Sequence, residues 1–429
     1  MQITANDPHR KSWLHVEKDS DFPIQNIPFG VFITKDDIIT IGTRIGNFAI
    51  DLGAFHQLGY FEGIPLTDDI FMQDSLNDFI ADGRKTWRLV RNRIAEVFDN
   101  SNPTLQNNEK HKEIIIFNID DVEMLLPVDI GDYTNFCSSK YYATNLSKLL
   151  KGSEHTINDN WYQAPLGYHG RSSSVVVSGT RIRRPNGQLA SKKGNPVFGP
   201  SSQLDMEIQT AFITTAANNF GEPITVNEAE EYIFGLVLLN NWSARDIEAW
   251  EANSFSGPFL GKNFATSISP WIVTLDALQP YKCKNPVQET ELLPYLKETN
   301  ATNNYNIHIT ATLKTPENEL FKISETNFNH IYWTMAQQLA HHTSNGCNVR
   351  AGDLMGIGTI SGPNKENSGT LFELTNGGNN PIKFSKNTER TYFYDGDQVI
   401  VSAYCKNENS RIGFGKCKGK ITPSVTYNL

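Results

Sequence analysis

From Leu125 onward short apolar runs alternate with glycine-containing turns, among them Val175-Val176-Val177-Ser178-Gly179 and Met355-Gly356-Ile357-Gly358-Thr359-Ile360-Ser361-Gly362. Many short strands with few helices, one of these at about Ile331 to His342, predict a mainly β (α+β) core. Ile233 to Leu239 is nearly uninterrupted apolar sequence, the pattern of a strand covered on both faces, and it empties into Asn240-Asn241-Trp242-Ser243-Ala244-Arg245-Asp246. Ser243 reads as the N-cap of a short helix from Ala244 to Ala252, which sets Asn241 and Arg245 at a strand-to-helix corner. Leu204 to Gln209 carries the other informative pattern. As a strand, its period-two alternation puts Asp205, Glu207 and Gln209 on one face of an otherwise apolar stretch. Burying such a face is costly unless something satisfies it, so it reads either as a site or as an edge strand meeting water.

The first 127 residues have a different texture. Phe29 to Ile33, Ile38 to Gly42 and Phe48 to Leu52 are strand signals spaced as in a small barrel or roll, followed by a helical pattern from about Leu76 to Val97. Ser101 to Lys112 reads as a surface loop, and Asn285 to Asn306 as a polar excursion between strands. Two units are expected, 1–127 and 128–429.

Composition narrows the classes. With 39% hydrophobic and 20% charged residues the chain can bury a large core, and a net charge of -9 without a basic block argues against nucleic acid or an anionic membrane as partner. The cysteines Cys137, Cys283, Cys347, Cys405 and Cys417 are scattered, so neither a disulfide framework nor a thiolate metal site is implied. No apolar run approaches the roughly 18 residues of a membrane span and no leader is apparent, so the expected location is cytoplasmic. His341 and His342 are adjacent on a predicted helix, point different ways, and read as structural.

Several longer runs resemble the fumarylacetoacetase family: Asp19 to Asn26, Ile130-Gly131-Asp132-Tyr133-Thr134, Gly167-Tyr168-His169-Gly170-Arg171, Trp242 to Ile247, Gly257-Pro258-Phe259-Leu260-Gly261-Lys262 and Gly358 to Gly362. The resemblance implies a small SH3-like N-terminal β domain, a C-terminal mixed β-roll carrying the pocket, and a homodimer. It also implies hydrolytic cleavage of a carbon–carbon bond in a diketo acid, assisted by one Mg²⁺ or Ca²⁺ held by carboxylates. Residue by residue, however, the family's metal-ligand positions fall on Asn135, Glu207, Gln209 and Asn241, so three of four acids have become amides. The family's water-activating histidine falls on Tyr142. Substrate-contacting positions carry Cys137, Lys151, Glu248 and Ala252 in place of a tyrosine, an arginine, a glutamine and a tyrosine. Tyr168, Arg245, Lys262, Thr266, Thr359 and Glu373 match.

Hard dications take anionic oxygens, so one glutamate among amides is a poor cage and no cofactor is expected, with Mg²⁺ or Ca²⁺ reserved for a site that still functions. Glu207 alone can instead pair with Lys262 or Arg245. Tyr142 is either a packing residue or a phenolic acid, since tyrosine stays protonated at neutral pH. Three readings follow. The first is an enzyme on a keto acid, diketo acid or related acyl compound that has turned to metal-independent condensation, cyclisation, isomerisation or decarboxylation, with Tyr142, Arg245, Lys262 and Glu373 catalytic and Cys137, Lys151, Tyr168, Glu248, Thr266 and Thr359 binding substrate. The second is a carbon–carbon hydrolase of weak or altered metal dependence. The third is an inactive binding or scaffold homologue.

Overall fold

A computed structural model describes residues 1–152, 154–191, 194–215, 218–252 and 257–427. Its centre is an eight-stranded mixed sheet built on the antiparallel pair Ile208–Thr214 and Ile233–Asn241. Leu354–Gly356 flanks the first of these and Thr266–Ile268 the second, with Tyr133–Phe136 running parallel to Leu354–Gly356. The apolar run Ile233–Asn241 is buried along its whole length because both faces are covered. Leu236 and Leu238 join Ile309, Val401 and Phe414 from a second, five-stranded sheet. Phe234, Val237 and Leu239 point the other way and join Phe29, Phe79, Trp87 and Ile94. Those residues belong to the N-terminal part, where Phe29–Ile33, Ile39–Ile45, Phe48–Asp51, Ile116–Asn118 and Glu123–Met124 form a five-stranded antiparallel sheet. The molecule is mainly β, as expected.

Several local expectations are corrected. The helical pattern from Leu76 to Val97 is broken into Asn77–Ala81 and Gly83–Val97, because Gly83 takes a left-handed φ of 82° between them. Residues 101–112 are not a loop: Asn102 and Asn108 accept backbone hydrogen bonds that start the helices Pro103–Gln106 and Glu109–Ile115. The helix expected from Ile331 begins at Met335, where Thr334 and Gln337 close a capping box. Ser243 caps nothing. It sits in the two-residue strand Ser243–Ala244, and the helix is Arg245–Glu251. His341 and His342 are each engaged by a hydroxyl, of Tyr295 and Thr134 respectively.

Leu204 to Gln209 is also not one strand. Leu204–Asp205 pairs with Ser243–Ala244, and the ladder resumes at Ile208. In the gap the Glu207 amide donates to the Asn240 side chain at 3.1 Å. The interruption turns Asp205 to accept from the amides of Leu371 and Phe372 at 2.8 and 3.1 Å and from Arg245 Nε at 3.0 Å, where it fastens the start of the short helix Leu371–Leu374.

Charge also joins the N-terminal helix to the central sheet. Arg88 of Gly83–Val97 grips Asp276 with Nε at 2.7 Å and Nη2 at 2.8 Å, while Arg84 approaches the same carboxylate at 3.4 Å. Burial pushes the Asp276 carboxyl up, but the Arg88 hydrogen bonds and the charges of Arg84, Arg88 and Arg91 outweigh it and hold it below the usual range. Its contribution is therefore complete above the unfolded carboxylate pKa of about 4 and is lost as pH falls through the lower folded value. Asp276→Ala is expected to lower unfolding free energy by about 3 kcal/mol at pH 7, and urea melts at descending pH should show the deficit shrinking only below about pH 4.

Candidate functional site

A cavity of about 580 Å³ opens beside the central sheet, between the helices Lys140–Lys151 and Arg245–Glu251. Among the described residues its polar wall comprises Tyr142, Tyr168, Glu207, Arg245, Glu248 and Lys262. Secondary structure fixes these side chains in place. Ser139 caps the first helix and sets Tyr142 in its first turn, the interrupted strand projects Glu207, and the corner after Asn241 places Arg245 at the start of the second helix.

Glu207 is the hub. Its Oε1 accepts from the Tyr142 hydroxyl at 3.0 Å and contacts Arg245 Nη1 at 3.1 Å and the Lys262 ammonium. Its Oε2 accepts from Gln209 Nε2 at 3.0 Å and Asn241 Nδ2 at 3.3 Å. Burial works to raise its pKa, but Lys262 and Arg245 hold it down at about 2, so the carboxylate stays ionised. Burial opposes the charge on Lys262 as well, and the carboxylates of Glu207 and Glu248 keep its pKa above the usual range. The Tyr142 phenol is pushed well up, by burial first and by the Glu207 charge second, and remains protonated. Glu248 completes the set, with Oε2 3.1 Å from Arg245 Nη1 and Oε1 3.4 Å from Lys262 Nζ. Three carboxylates, Asp205, Glu207 and Glu248, thus meet two cations, Arg245 and Lys262.

The three amides hold the rest together. Asn241 Nδ2 also donates to the Tyr168 hydroxyl at 2.8 Å, and Asn135 Nδ2 donates to it at 3.2 Å. Gln209 turns its carbonyl the other way to accept from the Gly358 amide at 3.2 Å. Gly358 has φ 92°, and a side chain there would collide with the Phe136 carbonyl, so glycine is required for this contact. The residues present do not fit a Mg²⁺ or Ca²⁺ ion. The single carboxylate has both oxygens occupied by donors, and two of the amides aim N–H groups, not oxygens, at it. Among the described residues no three His, Cys, Asp or Glu side chains converge on a point that could hold a metal.

Cys137 and Thr359 line the cavity together with the polar set above. The Cys137 thiol is pushed up to about 11, chiefly by burial, and is not a nucleophile at neutral pH. Three of the expected residues lie off the wall. Thr266 stands behind Asn241, its hydroxyl 3.4 Å from the amide oxygen. Lys151 is exposed at the end of its helix. Glu373 accepts from Asn145 at 2.8 Å and from Ser361 and Thr370 at 2.9 Å each, with no contact to Tyr142. Burial lifts its carboxyl to about 7 despite those donors. Sequence reasoning gave Glu248 only a binding role, whereas it is the one cavity carboxylate with an oxygen that accepts no hydrogen bond.

An ion-paired acid and carboxylate set at strand ends, beside a cavity of ligand size, is the layout of an enzyme. Residues 135–422 match the model for the C-terminal part of fumarylacetoacetate hydrolases and residues 25–127 that for the fumarylacetoacetase N-terminal part. The fumarylacetoacetase of Arabidopsis thaliana is 46% identical over 419 residues, covering 96% of this chain and 99% of the relative. That of Homo sapiens is 43% identical over 419 residues, with coverage of 96% and 99%. The chain belongs to the fumarylacetoacetase family and is an enzyme of it. The fumarylacetoacetate hydrolase of Exiguobacterium antarcticum shares the fold, with a TM-score of 0.52 at 17% identity over 92% of this chain and 99% of that one.

Two predictions follow from the site. Asn135→Asp, Gln209→Glu and Asn241→Asp combined should create a dication cage beside Glu207: calorimetric melts of this variant should gain ~2.7 kcal/mol when Mg²⁺ or Ca²⁺ is present at about a hundred times the dissociation constant, and the unaltered protein should gain nothing. Glu373 acts on the pH profile. A carboxyl whose folded pKa is raised binds more protons folded than unfolded, so stability falls between its unfolded pKa and about 7. Glu373→Gln should remove about 3 kcal/mol of that decline, read as the difference between stability curves at pH 5 and pH 8.

Proposed function

We propose that this enzyme acts on an enolisable keto acid or related acyl compound and moves protons without a divalent cation. The observation that carries the reading is a group of buried polar atoms on cavity-lining residues that make no hydrogen bond: Asn135 Oδ1, Arg245 Nη2, Thr359 Oγ1 and Glu248 Oε1, the last with only the Lys262 ammonium at 3.4 Å. Unpaired donors and acceptors in a buried wall are costly, and a ligand bearing carbonyl and hydroxyl oxygens relieves that cost. Glu248 Oε1, with open lone pairs, takes the proton from the carbon next to the carbonyl. Arg245 Nη2 and the Lys262 ammonium hold the oxygen of the enolate that forms. The Tyr142 phenol, kept protonated by burial, supplies the returning proton, and water entering through the mouth takes the proton from Glu248 and restores the phenol. Isomerisation, decarboxylation, cyclisation and condensation all pass through such an enolate.

A second reading is hydrolytic cleavage of a diketo acid, favoured by the shared name of full-length relatives. It uses the same enolate as leaving group, with Glu248 activating water. Proton exchange separates the two. With 3-oxohexanoate in D₂O and EDTA, the enzyme is expected to speed deuterium entry at C2 above buffer, and Glu248→Gln to slow it by about 10²- to 10⁴-fold. Activity that EDTA abolishes and Mg²⁺ restores, or the absence of any exchange, would overturn the metal-independent reading.

A further inference from the structure

Beyond Tyr142 and Arg245 the cavity continues in an apolar part that the proton chemistry does not use. On the helix Lys140–Lys151, Tyr142, Leu146 and Leu150 stand four residues apart and line the cavity in one stripe. Tyr142 is 7% exposed and Leu150 is 63% exposed, so the stripe runs from the floor to the mouth, about 12 Å at 1.5 Å per residue. The facing helix Arg245–Glu251 repeats the arrangement: Arg245 is buried at the floor, and Ala249 and Ala252, at and just beyond the helix end, are exposed at the mouth. Leu166, 38% exposed, and Pro258 complete the opening. Each helix therefore starts with a polar group at the reacting end and continues apolar outward. The position where the family resemblance implies a substrate-contacting tyrosine carries Ala252, and Lys151 lies off the wall, so among the described residues the outer part of the lining, Leu146, Leu150, Leu166, Ala249, Ala252 and Pro258, carries no cation to pair with a second carboxylate.

We propose that the substrate is amphipathic: a keto head held by Arg245, Lys262 and Tyr142, carrying a hydrocarbon chain or ring that lies along Leu146, Leu150 and Leu166 toward the mouth. The inference deepens the keto-compound reading of the same cavity and rests on it. A volume of about 580 Å³ exceeds the need of a short acid and falls within the range for drug-sized ligands. An exposed apolar lip such as Leu150 and Leu166 is otherwise an aggregation liability, and a ligand tail covers it.

The test is a homologous series of 3-oxoalkanoates, from four to twelve carbons, titrated into the full chain by calorimetry, alongside an unbranched dicarboxylic 2,4-diketo acid. Affinity is expected to rise about fourfold per added methylene until the tail reaches solvent, and the dicarboxylic probe to bind no better than the shortest member. Leu150→Ser, at an exposed position that cannot threaten folding, and Leu146→Ser should each cut the gain per methylene to under twofold. Affinity independent of length, preference for the dicarboxylic probe, or a length dependence untouched by both substitutions would overturn the amphipathic substrate. Deuterium entry at C2 keeps the two claims apart: exchange without length dependence sinks only this inference, whereas length-dependent binding without exchange sinks the proton chemistry.

Discussion

Five donors converge on the carboxylate of Glu207, and the site's geometry depends on that convergence. An ionised carboxylate taken from water loses several kcal/mol of solvation unless every lone pair is met by charge or hydrogen bond. Here Lys262, Arg245 and Tyr142 meet one oxygen, Gln209 and Asn241 the other. Those partners come from a helix, a strand, a strand end, a corner and a turn, so satisfying a single buried charge aligns five elements of the chain. Arg245 extends the network to Asp205, which in turn accepts from the backbone of Leu371 and Phe372. The cavity wall is rigid for this electrostatic reason, before any ligand arrives.

The same constraint explains why three amides stand around one acid. A cluster of four carboxylates needs a dication or must bind protons, because like charges at such separations cannot all ionise. An amide keeps the shape and exchanges an acceptor for a donor. Asn241 uses its donor toward both Glu207 and Tyr168, and Asn135 toward Tyr168, so amide N–H groups supply the positive edge that faces the carboxylate. Glu248 adds a further carboxylate against Arg245 and Lys262, beside the pairing of Arg245 with Asp205.

Much of this was legible in the sequence, for reasons that can be named. Glu207 and Gln209 do share a face, since alternation survives a local break, and the apolar run before Asn241 does end at a strand-to-helix corner bearing Arg245. Pairing of Glu207 with Lys262 or Arg245 was expected once the family resemblance set the three in one pocket, and both pairs form. The interruption at Met206 and Glu207 was not legible, because it is enforced from outside the segment by Asn240 and by the short pairing of Leu204 with Ala244. Asp205 consequently serves the fold and not the cavity. The helices at Pro103–Gln106 and Glu109–Ile115 were missed because their polar composition hides two asparagine caps. Glu373 was expected at the reacting centre, yet Asn145, Ser361 and Thr370 draw it behind the wall, an outcome set by tertiary hydrogen bonds that no local pattern encodes.

Family membership and chemistry are carried by different residues. Identity of 46% and 44% to two fumarylacetoacetases over 96% of the chain settles the family, whereas a fold by itself does not settle the chemistry. What the pocket can do is decided by a few side chains whose charges must sum and whose lone pairs must be counted. Among the cavity carboxylates, Glu207 has none to spare, and Glu248 retains an oxygen that accepts nothing. A base needs such an open lone pair within reach of substrate, and an acid needs a proton it will not lose to solvent, as Tyr142 has. The proposed division of labour between Glu248 and Tyr142 rests on the hydrogen-bond inventory of the wall: the carboxylate that is most tightly held positions the others, and the one with an oxygen free of hydrogen bonds is assigned the base's part.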